Sequence, residues 1–133
     1  MSSTIKLVLV GLGLVGKRHA DVICKTRDVD LVAVVDPSKD AHKYAIKKGL
    51  KIYSSIEDMF IEQSPDGIIL ATPTLMHIEQ GFYCIQRNCP VMIEKPIASS
   101  SGEALALVEK SENLGVPVLV GHHRRYNPII QRA

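Results

Sequence analysis

A glycine-bearing loop, Gly11-Leu12-Gly13-Leu14-Val15-Gly16, follows the apolar run Ile5–Val10, and Asp36 closes a second apolar run twenty positions beyond Gly16. That spacing suits the holding of a dinucleotide. Gly11 lets the chain turn tightly out of a strand, Gly13 lets backbone approach a pyrophosphate with no Cβ in the way, and Gly16 lets the next helix pack closely. Unpaired N–H groups at that helix start, around Leu14 and Val15, then face the phosphates, with the helix dipole favouring negative charge. Asp36, at a strand's carboxyl end, can accept hydrogen bonds from both hydroxyls of the adenosine ribose, and it repels a 2′-phosphate.

Three glycines alone also describe an ordinary strand-to-helix turn, so the flanking elements decide the matter. Apolar runs and helical stripes alternate along the whole chain. Ile5–Val10 reads as the first strand, and Val15, Ala20, Ile23 and Cys24 form a helical stripe ending near Thr26. Residues 31–35 make a second strand, stopped by Pro37, and Lys39–Lys48 a helix ended by Gly49. A short third strand lies at 51–53. Ser55-Ile56-Glu57-Asp58 resembles a capping box that starts a brief helix ahead of Pro65.

Residues 67–71 form the fourth strand, and the helix beginning near Thr74 turns Ile78, Phe82 and Ile85 inward. Val91–Glu94 is the fifth strand. Ser100 or Ser101 caps a helix carrying Ala104, Leu105, Leu107 and Val108 to Gly115, and Val118–Gly121 is the sixth strand. Continuous apolar strands linked by helices predict an α/β domain: a doubly wound, six-stranded parallel sheet of order 3-2-1-4-5-6, covered on both faces. Its polar oddities gather at the carboxyl edge, where such sheets bind ligands: the glycine loop, Asp36, Thr72-Pro73, Glu94-Lys95-Pro96 and His122.

A length of 133 residues fits one domain, and 46% hydrophobic residues suffice for a core. The net charge of +2 comes from scattered basic residues, which argues against a nucleic-acid surface. No apolar run approaches the length of a membrane span, and Met1-Ser2-Ser3-Thr4 lacks the features of a leader, so a cytoplasmic location is expected. Cys24, Cys84 and Cys89 show no metal-binding or disulfide spacing; Cys24 and Cys84 read as small core residues in a reducing compartment. His122-His123 has no carboxylate or cysteine at ligand spacing, so no metal is expected. After residue 121, the stretch 122–133 reads as the start of a connection, with Pro128 opening a helix that the chain does not complete.

Several separated stretches together resemble the nucleotide-binding half of the Gfo/Idh/MocA family of NAD(P)-dependent oxidoreductases: the glycine loop with His19, Asp36-Pro37, Ala71-Thr72-Pro73-Thr74 with His77, Glu94-Lys95-Pro96, and residues 121–128. The resemblance covers essentially the whole chain. It implies a Rossmann domain (1–121) without the family's C-terminal α+β domain, which closes over the nicotinamide and supplies acid-base residues.

It also implies that Lys95 lies beside the nicotinamide ribose and the reacting carbon as the catalytic residue. An ammonium there can orient a reacting oxygen, stabilise developing negative charge and relay a proton. Glu94 would hold Lys95 charged, and Pro96 would fix the backbone, often through a cis peptide. Thr72, Pro73 and Thr74 match the loop supporting the nicotinamide side, with Thr74 in place of the more usual asparagine. His77 matches a family histidine, read either at the cofactor or as bonded to nearby backbone. His19 reads as a packing residue. Arg124-Arg125 match a paired-arginine segment near the cleft, where Arg125 can clamp an anion.

The resulting expectation is a hydride transfer between nicotinamide and a sugar- or cyclitol-like alcohol, with NAD favoured by Asp36 and NADP left open by Ser38 and Lys39. This chain alone should be catalytically incomplete. The substrate is a small polar alcohol or carbonyl compound, with no nucleic acid or membrane partner and homo-oligomerisation left open. A second reading is a stand-alone NAD(H)-sensing or partner-binding module. A methyltransferase-like fold also pairs a glycine loop with an acidic strand end, but gives Glu94-Lys95-Pro96 no task.

Overall fold

The computed structural model describes residues 4–121. Six parallel strands form one sheet in the order β3-β2-β1-β4-β5-β6. In chain order these are β1 (Ile5–Val10), β2 (Val29–Val35), β3 (Ile52–Tyr53), β4 (Gly67–Leu70), β5 (Val91–Glu94) and β6 (Val118–Gly121). Between them run α1 (Leu14–Lys25), α2 (Lys39–Lys48), α3 (Ile56–Glu62), α4 (Thr74–Gln86) and α5 (Ser101–Leu114). The expected order and all eleven elements are present; β2 begins two residues earlier than the apolar run alone indicated.

Alternation along the strands sends neighbouring side chains to opposite faces. Val8, Val10, Ile68, Leu70, Val91 and Ile93 pack with Met59, Ile85 and Leu107 on one face. On the other, Leu9, Val34 and Ile69 meet Ala20 and Ile23 of α1 and Ala41 and Ala45 of α2. Small residues on α1 and α2 bring those helices close to the sheet. Because β1 pairs with both β2 and β4, strand order reverses between β1 and β4, and a crevice opens past their carboxyl ends.

Three helices start with a serine whose side chain accepts an N–H of the first turn: Ser38 from Ala41, Ser55 from Asp58 and Ser100 from Glu103. Two close with a left-handed glycine, Gly49 and Gly115. By contrast, α1 follows Gly13 and α4 follows Pro73, and neither has a side-chain cap. No side chain takes their first N–H groups, though at α4 the Met76 N–H donates back to the Pro73 carbonyl.

Some stripe assignments need correction. Val15 and Cys24 are exposed, because α1 turns only Gly16, Ala20 and Ile23 inward. On α5 only Leu107 is buried, and Leu105 and Val108 face outward. On α4 the buried face is His77, Gly81, Cys84 and Ile85, while Ile78 and Phe82 flank it half-buried. A single apolar contact line on a helix is narrower than its apolar residues suggest.

Burial raises the Cys84 thiol to about 12 and that of Cys89 to about 11, so neither forms a thiolate near neutrality. With iodoacetamide at pH 8, one thiol per native molecule, Cys24, is expected to react quickly, and the other two only on unfolding. Peptide mapping of the alkylated protein reads this directly.

Candidate functional site

Past the ends of β1, β2 and β4 lies a cleft of about 800 Å³. Gly11, Gly13, Leu14, Val15, Asp36, Thr72 and Pro73 line it together, so most of the expected cofactor-binding residues converge. The glycines divide the work. Gly11 has a φ of +100°, and a Cβ there would lie 2.5 Å from the Ala71 carbonyl oxygen. At Gly16 a Cβ would overlap the Gly11 carbonyl oxygen. This glycine seats α1 against its own loop, as well as near the sheet.

Gly13 differs from both. Its φ is −76°, which any residue adopts, and among the described residues nothing beyond its chain neighbours lies within 4 Å of a Cβ placed there. The protein itself therefore has no need of glycine at 13; a ligand approaching the backbone does. The uncapped start of α1 sits at the same point, so a diphosphate fits the free N–H groups of this cradle.

Asp36 completes the other rim. Its Oδ2 accepts the Leu12 N–H at 2.9 Å and its Oδ1 accepts the Ser38 N–H at 2.9 Å. A carboxylate has more acceptor sites than these bonds use, and Asp36 lines the cleft. Burial alone would raise this carboxyl, but the N–H bonds from Leu12 and Ser38, the Ser38 hydroxyl and nearby His42 outweigh it and hold Asp36 below its ordinary value. It stays ionised and fixed in direction.

The remaining expected residues lie elsewhere. Thr74, the first residue of α4, does not line the cleft. Lys95 follows β5 and is exposed, one strand over from the β4 end, and its peptide bond to Pro96 is cis. Glu94 does not pair with Lys95. Its Oε1 meets His19 Nε2 at 2.5 Å, joining α1 to the end of β5, and Gly121 leaves the room, since a Cβ there would stand 3.3 Å from the Glu94 carboxyl. His19 is thus a polar tie rather than a packing residue.

His77 is not a cofactor ligand either, because it is 1% exposed and both ring nitrogens are engaged. Nδ1 lies 2.9 Å from the Pro96 carbonyl oxygen and Nε2 2.7 Å from that of Thr72. Arg125, Arg124, His122, His123 and Pro128 lie outside the described residues.

Sequence reasoning missed the α4 wall of the cleft: Met76, Glu79, Gln80 and Tyr83. Gln80 Oε1 also accepts the Thr72 hydroxyl at 2.6 Å. Their offsets of three, four and seven positions mark one helix face, a pattern readable in advance had the mixed polarity not hidden it. Leu12, which aims Asp36 through its backbone, carried no side-chain signal at all.

A doubly wound sheet with a glycine cradle and an acidic second strand end at its switch point defines a dinucleotide-binding Rossmann domain. The profile of the oxidoreductase family with an NAD-binding Rossmann fold matches residues 5–122, and the chain belongs to that Gfo/Idh/MocA family. It is 33% identical over 125 residues to 4-carboxy-2-hydroxymuconate-6-semialdehyde dehydrogenase of Sphingobium sp., covering 92% of this chain and 40% of that protein. Inositol 2-dehydrogenase of Corynebacterium glutamicum is 27% identical, with 96% of this chain and 39% of that protein covered. Among solved structures, the WlbA dehydrogenase of Bordetella pertussis, in complex with NADH and UDP-GlcNAcA, superposes with a TM-score of 0.90 at 29% identity, over 97% of this chain and 38% of that one. The chain spans about 40% of the length of these relatives.

Two substitutions separate the glycine roles. Gly16→Ala is expected to destabilise the domain by about 3 kcal/mol or more, through backbone overlap. Gly13→Ala should keep wild-type stability in urea but lose about tenfold or more in NAD affinity by calorimetry. Asp36 gives a pH test. Because its folded pKa is depressed, its stabilisation is present above the unfolded value of about 3.9 and is lost as pH falls through the lower folded value. Urea midpoints measured from about pH 5 down to about pH 2 should therefore fall more steeply for wild type than for Asp36→Asn.

Proposed function

We propose that this domain binds NAD for an oxidoreductase that moves a hydride between the nicotinamide and a carbinol carbon of a small polar alcohol, of the sugar or cyclitol type. The observation that carries this reading is the free space over Gly13, framed by the uncapped start of α1 and the oriented carboxylate of Asp36. Inositol 2-dehydrogenase and D-glucoside 3-dehydrogenase, both similar to this chain, support the substrate class.

Gly11, Gly13, Leu14 and Val15 would hold the diphosphate through backbone N–H groups, with a charge-favourable helix end behind them. The ribose hydroxyls would donate to the free acceptor sites of Asp36. The same charge repels a 2′-phosphate, so NAD is preferred over NADP. When bound, NAD supplies the hydride acceptor. Thr72 and Pro73 support the nicotinamide side, and Lys95 orients the reacting oxygen, stabilises its developing charge and relays its proton. Residues 1–133 on their own are expected to bind cofactor and to turn over little or nothing.

Calorimetric titration with NAD, NADP and S-adenosylmethionine tests the assignment. NAD is expected to bind, NADP about tenfold or more weakly, and S-adenosylmethionine not at all. Binding of neither dinucleotide overturns the function, and tight NADP without NAD reverses the cofactor preference. Asp36→Ala should narrow the NAD-to-NADP gap, since it removes the repelling charge.

A further inference from the structure

Among the described residues, His77 is the one buried polar side chain, and nothing in its position lets it reach a ligand. A fully buried imidazole in an apolar helix face costs free energy unless its nitrogens are bonded. What it gains is unusual in direction. Both partners are main-chain carbonyls, which only accept, so bonding both at once takes an N–H on each ring nitrogen; they belong to the loops that follow neighbouring parallel strands, Thr72 after β4 and Pro96 after β5.

Past the strand ends no ladder bond joins these loops, since β4 and β5 pair only from Ile68 with Val91 to Leu70 with Ile93. The imidazole continues the connection beyond the sheet. One of the loops lines the cleft at Thr72 and Pro73, and the other carries Lys95 immediately before Pro96. On the opposite side of Lys95 in the chain, Glu94 is held from α1 by His19. Lys95 is therefore flanked by two tied residues, Glu94 through its side chain and Pro96 through its backbone carbonyl, by histidines from two different helices.

We propose that His77 is a positioning residue for Lys95: its bridge from Thr72 to Pro96 sets the lysine's height and direction relative to the nicotinamide end of the cleft. The inference rests on the NAD-binding reading above and deepens it. A buried histidine with a merely structural part would stabilise α4 against the sheet and leave ligand discrimination alone. A positioning residue acts on one end of the dinucleotide only.

The test compares NAD with ADP, which lacks the nicotinamide ribose and ring, by calorimetry on the 133-residue chain. His77→Ala should weaken NAD about tenfold while leaving ADP unchanged, as should Lys95→Ala. The double variant should be no weaker than either alone, because both remove one interaction. His77→Asn, whose amide reaches about as far as Nδ1, keeps the bond to Pro96 and should retain more of the NAD preference than His77→Gln, whose amide matches Nε2 and keeps Thr72.

Equal losses for NAD and ADP in all three His77 variants make the residue a support of the fold and overturn the proposal. So do additive losses with Lys95→Ala, an unchanged NAD affinity in His77→Ala, or the reverse order of the Asn and Gln variants. These outcomes are distinct from a wild-type chain that binds no NAD, which overturns the cofactor reading itself.

Discussion

The closeness of Gly16 to the Gly11 carbonyl governs the rest of the site. With no Cβ possible there, α1 begins directly against the loop that precedes it, and its N-terminus is aimed along the crevice between β1 and β4. The loop, thus folded, presents the Leu12 N–H to Asp36 and so fixes a carboxylate contributed by the neighbouring strand. One turn beyond Gly16, the same helix brings His19 to Glu94 at the end of β5. The glycine loop, the Asp36 carboxylate and the end of β5 that precedes Lys95 are all referenced to one backbone contact.

Capping shows the same economy in another form. Serines cap the starts of α2, α3 and α5, each accepting one N–H of the first turn. At α1 and α4 glycine and proline stand instead with no side-chain cap, and the start of α1 lines the cleft through Gly13, Leu14 and Val15. Unsatisfied N–H groups lower stability by themselves. At α1 the uncapped start coincides with the open space over Gly13, an arrangement that suits an anion.

The fold was readable from the sequence because each element carries its own local signal: β-branched runs for the strands, serine and glycine stops for the helices, and a glycine spacing with one mechanical meaning. Strand order followed from alternation and the doubly wound pattern. The glycine-loop side of the cleft was readable for the same reason, since Gly11, Gly13, Gly16 and Asp36 act close to their own backbone. The side around Thr72, Glu94 and Lys95 was not. Glu94 sits beside Lys95 in the chain, and proximity in sequence suggested a pair, yet alternation along a strand end sends adjacent side chains apart and gives Glu94 to His19. His77 shows a sequence position but not its burial or the two carbonyls around it, which come from segments five residues before and nineteen after.

This difference between the two sides has a physical origin. A diphosphate and a ribose are common to every reaction such a domain serves, and main-chain amides with one carboxylate hold them without help from a second layer of side chains. In the proposed function the reacting end must place Lys95, a flexible side chain, to within the tolerance of a proton transfer. An exposed lysine cannot be ordered by packing of its own stem. It can be ordered only from its backbone, and the backbone past a strand end has lost the sheet ladder that would hold it. In that proposal polar ties to the flanking residues supply what the ladder no longer does: His19 on the Glu94 side chain, and the buried His77 between the Thr72 and Pro96 carbonyls.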